Sequence, residues 1–134
     1  MENQRVSGIL VVDTDILIDA SRGISKAVDF LNEAAKSDTL AVSIITQMEL
    51  IVGCQNTAEL RIVDRFLSHF NILPLNQAIG TAAIDLLRKY RLSHGLHIAD
   101  ALIAATAISL SDPLASKNQR HFRSISGLIL VPYT

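Results

Sequence analysis

The sequence of 134 residues contains little cysteine, few aromatic residues and little charge. Its one cysteine, Cys54, excludes an internal disulfide and fits a reducing compartment. Charged residues make up 19% of the chain, and the formal net charge is −1. A broad basic face that grips nucleic acid is therefore not expected, and any contact with a nucleic acid is predicted to be local.

Long apolar runs are also missing. The most apolar long stretch, residues 101–110, is interrupted by Thr106 and Ser109 and is far shorter than the roughly 20 residues of a membrane helix. Residues 1–5 lack the basic and then apolar order of a secretory signal. The sequence therefore predicts a cytoplasmic protein with no membrane partner.

Apolar residues are plentiful, at 49% of the chain, which is enough for one domain to bury its own core. Short apolar runs predict strands at residues 9–12, 40–42, 72–75, 114–115 and 128–131. Pro74 places the third of these at a sheet edge or a strand end. Helical patterns are found after Ser25, before Gly53, after Thr57, between Asn76 and Gly95, and over residues 96–110. Strands that alternate with helices indicate a parallel sheet with helices on both faces.

Three acidic residues stand where such a fold binds ligands, beyond the C-terminal ends of its strands. Asp13 directly follows the first strand, Glu49 is expected to open the helical segment after the second, and Asp100 is the one charged residue of the helix at 96–110. If the three meet, their repulsion raises their pKa values unless a divalent cation binds. Oxygen ligands suit Mg²⁺ or Mn²⁺, and the cysteine and histidine spacing typical of zinc sites is missing.

Each acid also has a structural explanation when it is taken alone. Asp13 can cap the helical turn after its strand. Glu49 stands three residues after Thr46, the spacing of a capping box. Asp100, in a first helical turn, can stabilise the helix dipole. Taken together, the three acids favour a shared cation site. Asp100 precedes an apolar stretch that should be packed in the core, and an unpaired carboxylate there is costly.

Four segments resemble, in the right order, the motifs of PIN domains and especially of VapC-like toxins. They are VVDTDILI at 11–18, SIITQMEL at 43–50 with Gly53, IADALIAA at 98–105, and LASKN at 114–118 followed by His121 and Phe122. Residues 127–132 are similar to the family's closing strand. The resemblance covers nearly the whole chain. It implies a single PIN domain over residues 1–134, an α/β fold built as a three-layer α/β/α sandwich with a central, mostly parallel sheet.

This resemblance implies an Mg²⁺- or Mn²⁺-dependent endoribonuclease. It makes Asp13, Glu49 and Asp100 the catalytic acids and the metal ligands. The positions that match supporting residues of the family are Thr14, Asp15 and Ser116. Acids that hold a divalent ion allow a bound water to attack the phosphate in line, so that no histidine base is required. The four histidines are accordingly expected to be surface or supporting residues; they are His69, His94, His97 and His121.

The fourth motif departs from the acidic pattern of the family. Asn118 stands where many relatives have aspartate, and His121 stands where some have another acid, so the resemblance leaves a second metal ion open. Asn118 is expected to reach the metal through a water. Lys117, Arg120 and Arg123 are predicted to steer the RNA backbone toward the metal. A solvated loop explains these three basic residues equally well.

Two further functions compete with a nuclease. Asp13-Thr14-Asp15 after a strand resembles the acid pair of haloacid-dehalogenase-like phosphatases, but that class leaves Glu49 without a role, and Asp112 precedes its strand and is expected at the wrong end of the sheet. A PIN fold that binds RNA or protein without cutting is the second alternative, favoured by the missing fourth acid. Resemblance to VapC-like toxins implies an antitoxin partner and a homodimer.

Overall fold

A computed structural model describes residues 8–133, so that residues 1–7 and Thr134 of the predicted domain lie outside the described residues. The strands are β1 (Ile9–Val12), β2 (Thr39–Ser43), β3 (Asn71–Leu73), β4 (Leu114–Ala115) and β5 (Leu130–Val131). The helices are α1 (Thr14–Ser21), α2 (Ser25–Ala34), α3 (Ile44–Val52), α4 (Thr57–Leu67), α5 (Gln77–His94), α6 (Ile98–Leu110) and α7 (Gln119–Phe122). Within residues 8–133, no helix has the length and apolar character needed to cross a membrane.

The five strands form one sheet in the order β3-β2-β1-β4-β5, and every neighbouring pair is parallel. β1 lies at the centre, and its residues Val11 and Val12 are fully buried. A strand covered on both faces must be apolar along its whole length, which explains the continuous run Ile9–Val12. β3 lies at an edge, as Pro74 predicts.

Two apolar cores cover the two faces of the sheet. Val12 packs in one core with Leu17 of α1 and Leu31 of α2, and Val11 packs in the other with Ala83 of α5 and Ala104 of α6. Successive side chains of a strand point to opposite faces, so neighbouring valines enter different cores. The predicted three-layer α/β/α sandwich with a parallel central sheet is therefore confirmed.

The ends of α5 follow from local chemistry. Asn76 caps the helix, because its side chain accepts a hydrogen bond from the backbone N–H of Ile79 at 2.8 Å. Gly95 ends the helix in the left-handed conformation, with φ of 72°, which glycine adopts at little cost. The sequence predicts both residues as the limits of this helix, and the structure confirms them.

Several predicted boundaries are wrong, and two helices escape the sequence pattern. α3 begins at Ile44, directly after β2, so Glu49 lies in the second turn and does not open the helix. α6 begins at Ile98 rather than at Leu96, because His97 is its N-cap. The pattern predicts neither α1 nor α7. They have eight and four residues, too few to show a helical repeat in the sequence.

Candidate active site

The parallel register brings the first and fourth motifs to one edge of the sheet. Val12 of β1 is paired with Ala115 of β4, so Asp13 and Ser116 follow neighbouring strands at the same end. The backbone N–H of Asp13 donates to the carbonyl of Ala115 at 2.9 Å, which continues the ladder by one residue. Asp112 precedes β4 and is therefore at the opposite end of that strand, as expected.

Asp13 is a buried carboxylate with two hydrogen-bond donors. Its Oδ1 accepts from the backbone N–H of Thr14 at 2.8 Å, and its Oδ2 accepts from the hydroxyl of Ser116 at 2.7 Å. Burial, then the charge of Asp15 and finally that of Asp100 raise the pKa of Asp13 to about 7, against the lowering effect of the two hydrogen bonds. Asp13 is also the N-cap of α1, the structural role that the sequence allows for it. Its second oxygen, held by Ser116, has no part in that cap.

Asp15 lies beside the same hydroxyl. Its Oδ2 is 3.3 Å from the Ser116 Oγ, and its Oδ1 accepts from the backbone N–H of Lys117 at 3.3 Å. Because a hydroxyl has one proton, Ser116 can donate it fully to only one of the two carboxylates, and Asp13 is the nearer. Burial raises the pKa of Asp15. Two carboxylates with raised pKa values thus share one serine.

Glu49 is held by Thr14 and is not part of a capping box. The hydroxyl of Thr14 donates to Glu49 Oε1 at 2.6 Å and is also 2.9 Å from the hydroxyl of Thr46. The cap of α3 is Ser43, whose side chain accepts from the backbone N–H of Ile45. Thr46 is buried inside the helix, so the capping-box explanation for Glu49 is wrong. Glu49 instead reaches across from α3 toward the start of α1.

Asp100 has the helix-end role expected of it and additional partners. Its Oδ2 accepts from the backbone N–H of His97 at 3.1 Å, which forms a capping box at the start of α6. The same oxygen is 3.3 Å from the Nδ1 atoms of both His97 and His121. The side chain of Asp100 is 16% exposed. The apolar stretch that follows Asp100 is buried, as the sequence predicts, and Asp100 itself is paired at the edge of that core.

The three predicted acids surround the same end of the sheet without converging on one point. Asp13 is joined to Glu49 through Thr14, and it is close enough to Asp100 for the charge of Asp100 to raise its pKa. Among residues 8–133, the group of potential metal ligands whose atoms all lie within 4.8 Å of one another is instead His97, Asp100 and His121. Sequence spacing does not predict this group of three ligands, because His121 belongs to a different motif, 21 residues after Asp100.

The donor chemistry of the edge fits a divalent cation. Asp13, Asp15, Glu49 and Asp100 bring oxygen atoms to it, and hard cations such as Mg²⁺ and Mn²⁺ prefer oxygen. Burial raises the pKa of Asp13 to about 7, so its ionised form is poorly stabilised by the protein alone. A bound cation would favour that ionised form.

The predicted RNA-binding residues differ in their surroundings. Lys117 Nζ is 2.6 Å from Asp19 Oδ2, and this hydrogen bond raises the pKa of Lys117. Arg120 and Arg123 are exposed on and after α7. Asn118 caps α7, since its Oδ1 accepts from the backbone N–H of His121 at 3.2 Å. The charge of Lys117 is therefore partly offset by Asp19.

The remaining histidines have other surroundings. His94 Nδ1 is 2.7 Å from the hydroxyl of Ser93, and its ring packs edge-on against Tyr90. His69 is exposed after α4. Their expected surface or supporting position agrees with this placement, whereas His97 and His121 lie at the site itself.

Comparison with known proteins identifies similar chains. A model of the PIN domain family matches residues 10–128. The protein Ribonuclease VapC10 of Mycobacterium tuberculosis is 42% identical over 115 residues, which cover 85% of this chain and 86% of that protein. A solved toxin–antitoxin complex from Klebsiella pneumoniae contains a similar chain, with a TM-score of 0.79 and 32% identity over 93% of this chain and 98% of that one. VapBC2 from Rickettsia felis, bound to a DNA fragment from its promoter, contains another, with a TM-score of 0.79 and 28% identity over 94% and 99% of the two chains.

Proposed function

The chain belongs to the PIN domain family and is a VapC-type ribonuclease, and we propose that it is a toxin that cuts RNA internally with the help of Mg²⁺ or Mn²⁺. Family membership rules out the phosphatase alternative. We further propose that residues 1–134 act as a single PIN domain. The observation that supports a metal requirement is the environment of Asp13. This carboxylate is buried at the C-terminal edge of the sheet next to other acids, and its pKa is raised to about 7.

We assign metal binding and catalysis to Asp13, Glu49 and Asp100. The support is their common position around one end of the sheet, with Asp13 joined to Glu49 through Thr14 and coupled to Asp100 through charge. Asn118, which lies beside His121, would contribute through a water. A bound Mg²⁺ or Mn²⁺ supplies positive charge to the phosphate oxygens and lowers the pKa of a bound water.

The supporting residues fix these acids in place. Ser116 holds one oxygen of Asp13 by its hydrogen bond, and Thr14 holds one oxygen of Glu49. Asp15 adds negative charge beside Asp13, which raises the pKa of Asp13 and strengthens the attraction of a cation. Carboxylates held in advance do not have to be ordered when the substrate arrives, and this lowers the barrier to the reaction.

RNA would approach along the fourth motif. Arg120 and Arg123 are exposed there, and a single-stranded backbone offers one phosphate per nucleotide for them to contact. Lys117 contributes less, because Asp19 pairs with it. With a formal net charge of −1, the rest of the chain adds little attraction. Since the substrate is RNA, we propose that the toxin acts in the cytoplasm.

An antitoxin and a second copy of the chain are the proposed protein partners. The solved relatives from Klebsiella pneumoniae and Rickettsia felis are a toxin–antitoxin complex and a VapBC complex. Exposed apolar side chains occur on α3 and α4, at Met48, Val52 and Ile62, and on α5 and α6, at Leu92 and Ile98. Apolar surface of this kind is commonly covered in an assembly. We assign the α3–α4 surface to the antitoxin and the α5–α6 surface to the homodimer.

The direct test is incubation of the protein with a pool of cellular RNAs in Mg²⁺, Mn²⁺ or EDTA. Wild type is expected to cut RNA with either ion and not in EDTA, and Asp13→Asn and Asp100→Asn are expected to abolish cutting. Asp85→Asn is the matched control, since Asp85 is an exposed acid on α5 that contacts Arg88. Cutting in EDTA, or cutting retained by both site variants, would contradict the metal-dependent mechanism.

A PIN fold that binds RNA without cutting it remains the second function to test. Asn118 and His121 at the fourth motif favour it, because neither supplies a carboxylate. RNA bound by the wild type with unchanged length in every metal condition would establish this function instead.

A further inference from the structure

Two histidines and an aspartate from different parts of the chain meet beside the proposed nuclease centre. His97 is the N-cap of α6, Asp100 is in its first turn, and His121 is in α7. Asp100 Oδ2 is 3.3 Å from Nδ1 of each histidine, and one ligand atom from each residue lies within 4.8 Å of the other two. We propose that these three residues bind a transition-metal ion of the Zn²⁺ class.

The ligand types separate this site from an Mg²⁺ or Mn²⁺ site. Two imidazoles and one carboxylate are a common set for Zn²⁺, whereas Mg²⁺ takes oxygen and keeps most of its water. Two ligand atoms on a tetrahedral ion with bonds of about 2.1 Å are roughly 3.4 Å apart. The observed 3.3 Å between the Asp100 oxygen and each histidine nitrogen matches that separation. It is longer than the roughly 2.7–2.9 Å of a strong charged hydrogen bond.

The hydrogen bonds of Asn118 keep the Nδ1 atom of His121 free of a proton. Asn118 Oδ1 accepts from the backbone N–H of His121 at 3.2 Å, which orients the amide and directs its Nδ2 to His121 Nδ1 at 2.8 Å. An amide nitrogen only donates, so His121 Nδ1 is an acceptor without a proton. This nitrogen faces the Asp100 oxygen, another acceptor. Two acceptors at this separation repel each other, and a cation bound to both would remove the repulsion. An imidazole nitrogen has a single lone pair, so the ion would replace the hydrogen bond that His121 Nδ1 now accepts from Asn118.

The site is open enough for an ion to enter. The His97 side chain is 66% exposed, while those of His121 and Asp100 are 20% and 16% exposed. Three protein ligands and access to solvent leave a fourth position for water, as in catalytic zinc sites. In the proposed nuclease, on which this consequence rests, Zn²⁺ would compete for Asp100 and reduce cutting that depends on Mg²⁺.

Binding can be measured without any RNA. Co²⁺ replaces Zn²⁺ at four-coordinate sites and then absorbs visible light, so we expect bands when Co²⁺ is added to the metal-free full chain. Zn²⁺ should remove these bands, and Mg²⁺ in excess should not. His97→Gln and His121→Gln should each weaken Co²⁺ binding by at least about tenfold. His97→Gln should fold normally, because the His97 side chain is exposed.

Two further variants distinguish this site from the nuclease centre. Asp13→Asn should abolish cutting and keep the Co²⁺ bands, because Asp13 is not a ligand of the three-residue site. His69→Gln is the matched control and should keep both cutting and the bands. Lack of visible bands in the wild type, or bands that persist in both His97→Gln and His121→Gln, would overturn the proposal. Bands without cutting would instead overturn the proposed nuclease and leave the metal site in place.

Discussion

Ser116 donates a hydrogen bond from its hydroxyl to Asp13 Oδ2 at 2.7 Å, across 103 positions of the sequence. The pairing of Val12 with Ala115 makes this contact possible, since Asp13 and Ser116 each directly follow a strand of that pair. The same hydroxyl accepts from the backbone N–H of Asn118 at 2.9 Å. Ser116 therefore ties the acid after β1 to the turn that precedes α7.

Ser116→Ala should weaken cutting most at low pH. The hydrogen bond from Ser116 lowers the pKa of Asp13, so its loss raises that pKa further and leaves less ionised Asp13 for a metal. We expect about a tenfold loss of kcat/KM near pH 7, partly recovered as the pH rises. The pH profile of kcat/KM at fixed Mg²⁺ measures this. Ser116→Thr should restore activity, and Ser124→Ala, at an exposed loop serine, should have no effect. A uniform loss at all pH values would argue against the pKa explanation.

Asp13→Asn should stabilise the metal-free protein at neutral pH. The pKa of Asp13 is raised from 3.8 to about 7, so the folded chain holds this proton more tightly than the unfolded chain. The stability that results is fully present below about pH 4 and is lost as the pH rises through 7. Asparagine carries no charge and avoids this loss, which is on the order of 4 kcal/mol.

Thermal unfolding of both proteins in EDTA at pH 5 and pH 8 tests the expectation. The variant should gain in Tm relative to the wild type as the pH rises. Mg²⁺ should then raise the Tm of the wild type and not that of Asp13→Asn, because only a protein that binds the ion is stabilised by it. An equal difference in Tm at both pH values would show that Asp13 keeps an ordinary pKa.

Thr14→Val should reduce kcat with little change in KM. Valine has nearly the shape of threonine but cannot donate to Glu49, so the carboxylate is no longer held in place. We expect a loss of about tenfold in kcat and a destabilisation of about 1–2 kcal/mol, since the Thr46 hydroxyl also loses its neighbour. Thr106→Val is the matched control. Thr106 is a buried threonine of α6 that donates to the Leu102 carbonyl, and its loss should lower stability alone. Equal kcat losses in both variants would point to a general packing defect.

Arg120→Gln and Arg123→Gln should weaken RNA binding and make it less sensitive to salt. Removal of one arginine–phosphate ion pair should reduce the slope of log affinity against log salt by about 0.7 for single-stranded RNA. Lys117→Gln should have a smaller effect, because Lys117 is paired with Asp19. Binding is measured in the Asp13→Asn background, where the RNA is not cut. Arg61→Gln on α4 is the control, and a slope reduced equally by Arg61→Gln would remove the special role of the fourth motif.

The fold followed from the sequence wherever local chemistry decides the structure. The run Ile9–Val12 is apolar throughout, and a strand with that property is covered on both faces in the observed sheet. Asn76 and Gly95 delimit α5 through their own side chain and backbone. The two short helices α1 and α7 were missed, because helices of eight and four residues have too few residues to show their period.

The candidate site was predictable only in part. The position of Asp13 after a central strand predicts a place at the ligand-binding edge of the sheet, and the structure places it there. The alternative of a capping box for Thr46 and Glu49 is wrong, since Glu49 accepts a hydrogen bond from Thr14, a residue 35 positions away. A motif read along one helix cannot reveal a competing partner from another element.

By itself, the sequence determined the alternation of strands and helices, the family and the acids available for chemistry, because these depend on residue type, periodicity and motif order. Only the tertiary structure decided which side chains meet. It placed Ser116 against Asp13, Thr14 against Glu49, and His121 against Asp100. Hydrogen bonds and metal coordination act over a few ångströms, and residues far apart in the chain reach that range only when the parallel sheet and the packed helices bring their ends together.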